Sequence, residues 1–197
     1  MTPKQEEKIK LKIKKIKSAL SADRKRGGGY YDDSRGLRYI PTGLYIKLND
    51  YSGGIRYLNW FKKKFPDDMA YPEFLFEWTL TLFKTGRLKE AEKKAFEAFC
   101  QNPRIFAIFF DRQIISIDKW EGSNPETRAF ADSKFNYSEK QIGLIDFSQW
   151  LDKIIATEKF ILSSNKYFSN QRRLKTEKDT ETRRYLIQLN NQLLNEF

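Results

Sequence analysis

The sequence of 197 residues contains no histidine, a single cysteine and two methionines. The absence of histidine excludes His-based catalytic triads, His-ligated metal sites and an imidazole general base. The single cysteine, Cys100, cannot form an internal disulfide and fits a reducing compartment. Much common enzyme chemistry is therefore excluded, and we expect a protein with no cofactor.

Long apolar runs are also missing. No stretch approaches the roughly 18 uninterrupted apolar residues that a membrane helix requires, and the amino terminus lacks the apolar core of a secretory signal. We therefore expect a cytoplasmic protein without a transmembrane segment. The sequence does contain 40% hydrophobic and 15% aromatic residues, which is enough for a globular core in a single domain over 1–197.

Positive charge is concentrated at the amino terminus. The protein carries a net charge of +11, and residues 1–39 hold twelve Lys or Arg against five Asp or Glu, a net charge of +7. Such an electropositive segment attracts nucleic acid, an acidic protein surface or anionic lipid. The sign of the charge does not choose among these partners.

A basic helix followed by a glycine turn is predicted for residues 1–29. Thr2 can cap the helix, Pro3 fits its first position, and Gln5 completes a capping box. The apolar residues of the helix form one narrow stripe among lysines: Ile9, Ile13, Ile16 and Leu20. The stripe favours a helix that packs on its own domain, while a basic arm that binds a separate partner and an interfacial membrane helix are the alternatives. Glycines 27–29 then end the helix.

The middle of the chain aligns with itself at a shift of 37 residues, with 48–68 matching 85–105. The pattern is clearest over 74–103, at Trp78, Leu82, Gly86, Leu88, Ala91, Ala95, Ala98 and Pro103. A period in the thirties with small residues at fixed helical offsets predicts stacked helix hairpins, because small side chains let two helices approach closely. These residues resemble the tetratricopeptide repeat (TPR) family over about 40–110.

The resemblance implies a non-enzymatic adaptor or regulatory protein that binds a partner protein. In this family the first helix of each hairpin lines a concave groove, so Phe76, Leu80 and Phe83 would line that groove and contact the partner. The stretch 74–83 is apolar on every side, which predicts burial on every side. Either helices of the same chain or a partner would cover it.

The loop "DRKRGGGYYDDSRGLRY", 23–39, supplies the candidate polar contacts. They are Arg24, Lys25, Arg26, Tyr30, Tyr31, Arg35 and Arg38. We expect a structural connector, in which Asp32 and Asp33 pair with arginines and Leu37 helps to anchor the loop. The alternative is an RNA or DNA contact, with arginines on phosphates and tyrosines stacked on bases. A nucleotide-binding loop is disfavoured, because the glycines follow a helix and neither G-x-x-x-x-G-K-[ST] nor G-x-G-x-x-G occurs.

Adjacent carboxylates offer the enzymatic alternative, a small nuclease built from Asp33, Lys25 and a distant glutamate. However, the pairs Asp32 and Asp33 or Asp67 and Asp68 are sequence neighbours, which do not generally converge on one point. No third acid at a ligand-like spacing accompanies them. We therefore predict no catalytic residue and no metal site.

The remainder of the chain is predicted as an irregular segment followed by helices. Residues 111–138 contain turn residues without an amphipathic period, whereas residues 139–197 regain a helical period. The sequence therefore predicts an all-α fold: a basic amino-terminal helix, TPR-like hairpins over 40–110, an irregular segment, and carboxy-terminal helices.

Overall fold

The computed structural model describes residues 1–31, 36–113, 117–120 and 123–197, and these ranges form helices and connections without a strand. Their α-helices are α1 (Pro3–Arg26), α2 (Ile40–Lys47), α3 (Tyr51–Lys64), α4 (Pro72–Lys84), α5 (Leu88–Gln101), α6 (Arg104–Phe109), α7 (Arg128–Lys134), α8 (Ile145–Ile155), α9 (Glu158–Thr176) and α10 (Thr180–Glu196). Short 3-10 helices span Leu37–Tyr39 and Asn124–Glu126. The predicted all-α fold is confirmed.

The chain divides into two compact units, 1–86 and 87–197. The sequence predicted a single domain, and the division falls inside the segment 74–103 that carries the clearest repeat pattern. The first unit holds α1 to α4, and the second holds α5 to α10. Helices α3 and α5 each contain 14 residues, and their bounds differ by the 37 residues at which the sequence aligns with itself. A TPR-like relation between the two copies stays a prediction.

Helix α1 begins and ends where the sequence signals place it. The Thr2 hydroxyl accepts a hydrogen bond from the Gln5 backbone N–H, and the Gln5 side chain accepts one from the Thr2 N–H. This reciprocal pair satisfies two donors that the first turn leaves free. At the other end Gly28 and Gly29 take positive φ angles of 61° and 110°, which glycine adopts without the strain of a Cβ.

The apolar stripe of α1 packs on the first unit. Ile13, Ile16 and Leu20 are buried together with Leu44 of α2. Partly buried side chains complete this cluster: Ile9, Tyr31, Leu37, Tyr45, Leu48 and Trp60. Burying each such aliphatic side chain contributes about 1.5–3 kcal/mol, so α1 is held by its stripe while its lysines remain exposed. This agrees with the interpretation of α1 as a helix packed on its own domain.

Helices α3 and α4 complete the core of the first unit. A Cβ at Gly54 would lie 3.0 Å from Cγ2 of Thr81, so the glycine allows the two helices to approach closely. The rings of Phe61 and Phe74 pack with centroids 4.7 Å apart, and both side chains are almost fully buried. Aromatic packing therefore joins α3 to α4.

In the second unit, α5, α9 and α10 share a core. Phe96 and Cys100 of α5 are buried with Phe160 of α9, and the ring of Phe197 stacks on Phe96 with centroids 4.1 Å apart. Burial raises the pKa of the Cys100 thiol well above its ordinary value. A protonated thiol is a poor nucleophile, so Cys100 contributes to the packing of this core.

The segment 111–138 keeps irregular connections but also contains α7, a short helix that the sequence did not predict. The Thr127 hydroxyl caps α7 by accepting a hydrogen bond from the Phe130 N–H, and Ala131 is fully buried. A helix of seven residues is too short to display an apolar period. Residues 114–116 and 121–122 of this segment lie outside the described residues.

Candidate functional site

The side chains predicted to line a TPR-like groove are mostly buried. Phe76 and Leu80 of α4 have no exposed surface, and Phe83 is partly exposed. A side chain without exposed surface contacts a partner only if the chain rearranges. Phe76 and Leu80 therefore do not form an open binding surface, and their burial supports the alternative in which they belong to the interior of the chain.

The candidate contacts of the glycine loop differ in their exposure. The exposed members are Arg24, Lys25, Arg26 and Tyr30. Arg26 forms an ion pair with the buried carboxylate of Asp23. Tyr31 is partly buried, with its ring centroid 4.7 Å from that of Phe65. Arg35 and the two acids predicted to pair with arginines, Asp32 and Asp33, lie outside the described residues.

Arg38 is a structural residue, which corrects its prediction as a contact for a nucleic acid. Its Nε lies 2.7 Å from Oδ2 of Asp68, and the two side chains are only 14% and 8% exposed. The Tyr39 hydroxyl donates to the same carboxylate at 2.8 Å, and Oδ1 of Asp68 accepts from the Ala70 N–H at 2.7 Å. This Arg38–Asp68 cluster joins the loop to the turn before α4.

A cavity of about 320 Å³ lies between α1 and α3 in the first unit. It is lined by Lys17, Leu20, Ser21 and Arg24 of α1, Tyr31 of the loop, Tyr45 of α2, and Gly53, Arg56, Tyr57 and Trp60 of α3. Four of these side chains are aromatic and three are cationic, and none of them is a carboxylate. The volume falls at the lower end of the range for small-ligand sites.

The aromatic side chains form a continuous floor to this cavity. Ring centroids are separated by 6.3 Å from Tyr45 to Tyr57, 5.2 Å from Tyr57 to Trp60, and 6.1 Å from Trp60 to Tyr31. Tyr57 is only 3% exposed, and its hydroxyl donates to the Arg38 carbonyl at 2.6 Å. The other three rings are partly exposed, so they offer surface to a ligand while Tyr57 supports them.

Gly53 brings the Tyr45 ring against the first turn of α3. A Cβ at Gly53 would lie 2.7 Å from Cε1 of Tyr45 and in collision with the Asp50 carboxylate. Asp50 caps α3 by accepting a hydrogen bond from the Gly53 N–H at 2.8 Å, which satisfies a donor that the helix leaves free. Only glycine fits both contacts, so Gly53 keeps the Tyr45 ring in the floor of the cavity.

The three cations of the cavity are Lys17, Arg24 and Arg56, and all are exposed. Within the part of the chain that the structure describes, none of them forms an ion pair with a carboxylate. Exposed cations that form no ion pair with a described carboxylate attract an anionic ligand, more strongly at low salt.

A more open cavity of about 460 Å³ continues along α1. The two cavities share Lys17, Ser21 and Tyr45, and the second adds Lys10 and Lys14. The second cavity also includes Asp50, whose carboxylate is occupied as the cap of α3. The two cavities together form one trough, the basic groove, which follows the lysine-bearing side of α1.

Burial of the Tyr57 hydroxyl makes the free energy of unfolding of the first unit fall at alkaline pH. Burial raises the pKa of the Tyr57 hydroxyl far above its ordinary value near 10. The folded state therefore retains a proton that the unfolded state loses, so the stabilisation is complete below about pH 10 and declines as the pH rises further. We expect the free energy of unfolding to fall by about 1.4 kcal/mol per pH unit above pH 10 through Tyr57 alone.

Urea unfolding followed by tryptophan fluorescence between about pH 9 and pH 11 measures this dependence. Tyr57→Phe should give a shallower decline than the wild-type protein, because the variant has no proton to lose at this position. Tyr30→Phe is the matched control, since the Tyr30 side chain is 82% exposed. Equal declines in wild type and Tyr57→Phe would contradict the assignment.

Several residues of the basic groove were not predicted from the sequence. The loop analysis proposed Arg24 and Tyr31, and the structure adds Tyr45, Arg56 and Trp60 to the same cavity. Arg56 and Trp60 are four residues apart on α3, which places them on one helix face. That spacing is a usable signal, but it is equally typical of a face that packs on the core.

Comparison of the chain with protein-family models, with curated proteins and with solved structures gives no match. Among the described residues, no helix combines the length and the apolar character needed to cross a membrane. The same residues contain no group of three or more acidic or cysteine side chains arranged to hold a metal ion. The basic groove is the feature of the structure from which a function follows.

Proposed function

We propose that the protein is a non-enzymatic nucleic-acid-binding protein that holds a single strand of RNA or DNA in the basic groove. The observation that carries the proposal is one cavity lined by four aromatic side chains and by three exposed cations that form no ion pair with a described carboxylate. Lysine and arginine side chains neutralise phosphates, and exposed rings stack on bases. A single strand presents both groups along its length.

The recessed position of the rings favours a single strand over a duplex. Tyr31, Tyr45 and Trp60 lie on the floor of a cavity between two helices. A base reaches such a ring only when it is unstacked and unpaired, as in single-stranded loops and ends. A duplex would meet only the lysines on the rim of the groove, so it should bind more weakly.

A protein partner has less support from the contacts. An adaptor function remains a prediction, but two of the three residues proposed for it, Phe76 and Leu80, are buried. An acidic peptide would satisfy Lys17, Arg24 and Arg56, yet it would leave the neighbouring aromatic rings without a planar group to cover them. A nucleic acid uses both the cations and the rings.

Fluorescence anisotropy with labelled RNA tests the proposal. We expect a single strand of mixed sequence to bind at least about tenfold more tightly than the matching duplex. The logarithm of the association constant should fall with the logarithm of the salt concentration with a slope of about −2 or steeper, since three cations each contribute about 0.7. Absence of binding at low salt, or equal affinity for a poly-glutamate peptide of the same charge, would contradict it.

A further inference from the structure

We propose that the 320 Å³ cavity at the Tyr31 end of the basic groove holds one unstacked nucleobase and accepts all four bases with similar affinity. This inference rests on the proposed function and adds the chemistry by which the groove binds its ligand. The cavity, hereafter the base pocket, is the more enclosed part of the groove.

The size and the walls of the base pocket fit one nucleotide. A volume of about 320 Å³ admits a purine ring with its sugar but leaves no room for a second stacked nucleotide. Trp60 stands nearly perpendicular to Tyr31, with an angle of 89° between the ring planes. A flat base can therefore cover one ring while its edge meets the other, which is a favourable geometry for both contacts.

The cations of the base pocket would contact the sugar-phosphate backbone of the bound nucleotide. Arg24 comes from α1 and Arg56 from α3, so the base pocket has a guanidinium on each of its two helical walls. Arginine binds phosphate with two parallel hydrogen bonds. The phosphates on either side of the bound base would each meet one guanidinium, while Lys17 continues the contact into the open part of the groove.

The polar groups of the base pocket do not select one base over the others. Its described neutral polar groups are the hydroxyls of Ser21, Tyr31, Tyr45 and Tyr57 and the indole N–H of Trp60. The Tyr57 hydroxyl donates to the Arg38 carbonyl, and the other hydroxyls can rotate to donate or accept a hydrogen bond. Discrimination among bases requires a fixed pattern of donors and acceptors, typically from an amide, carboxylate or guanidinium aimed at the base edge. Among the described residues, neither an amide nor a carboxylate side chain lines the pocket, and we assign its two guanidinium groups to the phosphates. Stacking therefore dominates, and every base has a face that stacks.

Equilibrium binding of three oligonucleotides of equal length and charge tests the base pocket. We would use DNA single strands of about 12 residues: oligo(dA), oligo(dT) and an abasic strand with the same phosphates. Oligo(dA) and oligo(dT) should bind within about tenfold of each other, and the abasic strand should bind at least about tenfold more weakly than either.

A ring deletion locates the effect in the base pocket. Trp60→Leu keeps an apolar side chain but removes the stacking surface, so the affinities for oligo(dA) and the abasic strand should become equal within about threefold. Tyr30→Leu is the control, because Tyr30 is exposed and does not line the pocket. Tyr31→Leu replaces Trp60→Leu if circular dichroism shows that the Trp60 variant does not fold.

The outcomes separate this inference from the proposed function. If the abasic strand binds as tightly as oligo(dA), the base pocket is overturned while nucleic-acid binding by the groove stands. If one base is preferred more than about 100-fold, the tolerance for all four bases is overturned. If no oligonucleotide binds at low salt, the proposed function fails together with the base pocket. If Trp60→Leu and Tyr31→Leu both still bind oligo(dA) at least about tenfold more tightly than the abasic strand, the base binds at another surface and the inference is overturned.

Discussion

Reversing the three cations of the base pocket, with Lys17→Glu, Arg24→Glu and Arg56→Glu in one variant, should lower the affinity for single-stranded RNA at least about 100-fold at low salt. The effect is large because each change removes a phosphate contact and places a repelling carboxylate at the same position. All three side chains are exposed and line one cavity. The salt dependence should weaken at the same time, with a slope reduced by about 2.

A second variant with the same change in net charge distinguishes binding by the pocket cations from long-range attraction by the overall positive charge of the protein. Lys12→Glu, Lys62→Glu and Lys63→Glu alter exposed side chains of α1 and α3 that line neither cavity. Long-range attraction alone would weaken both variants equally, because it depends on the total charge. We expect the control to lose less than about tenfold in affinity, and an equal loss in both variants would contradict binding in the basic groove.

Both variants should retain the fold. Lys17, Arg24 and Arg56 form no ion pair among the described residues of the first unit, so their replacement leaves no buried carboxylate without its partner. Surface substitutions away from such partners usually change stability by less than about 0.5 kcal/mol. Thermal unfolding followed by circular dichroism checks this point. If the melting temperature of either variant drops strongly, its lower affinity reports loss of the folded state and not loss of phosphate contacts.

Local signals in the sequence were sufficient to predict individual helices. The capping box at Thr2 and Gln5 marked the start of α1, and the glycines after Arg26 marked its end, because both depend on residues within one turn. The stripe of α1 also contains its three buried aliphatic side chains, Ile13, Ile16 and Leu20, whereas the buried Asp23 lies outside the stripe. Helix α7 was not predicted, because neither its cap at Thr127 nor the burial of Ala131 produces an apolar period in a helix of seven residues.

The proposed binding site depends on contacts between distant residues, which local patterns do not specify. The base pocket joins Lys17 to Trp60 through the packing of α1 and α3 around Tyr45. Likewise, the apolar character of α4 predicted that Phe76 would be covered. It did not predict whether a partner or the chain itself covers Phe76, since both kinds of contact require the same apolar residues. The sequence therefore supplied part of the chemistry of the site, at Arg24 and Tyr31, without its location.

The Arg38–Asp68 cluster shows how a contact across the chain supports the base pocket. The Arg38 guanidinium lies over the Phe65 ring, 4.8 Å from its centroid, and Phe65 packs against Tyr31. The Arg38 carbonyl accepts the hydrogen bond of Tyr57. Two of the four rings of the pocket floor are thus held by groups that depend on one carboxylate.

Asp68→Ala should therefore lower the free energy of unfolding of the first unit by about 3–5 kcal/mol. The change removes the Asp68 carboxylate from the Arg38 guanidinium, whose side chain is only 14% exposed, and from the Tyr39 hydroxyl and the Ala70 N–H that donate to it. Breaking a buried ion pair and two hydrogen bonds by removing the acceptor that they share is strongly destabilising. Urea unfolding followed by tryptophan fluorescence measures the loss, and hydrogen exchange over 37–74 shows whether it is centred on the cluster.

The adjacent carboxylate provides the matched control. Asp67 is exposed, so Asp67→Ala should change stability by less than about 0.5 kcal/mol, although the two aspartates are indistinguishable by sequence pattern. At temperatures where Asp68→Ala remains folded, its loosened floor should bind oligo(dA) less tightly while its affinity for the abasic strand is unchanged, because the cations of α1 and α3 are intact. Equal stability losses in Asp67→Ala and Asp68→Ala would show that the cluster does not hold the loop.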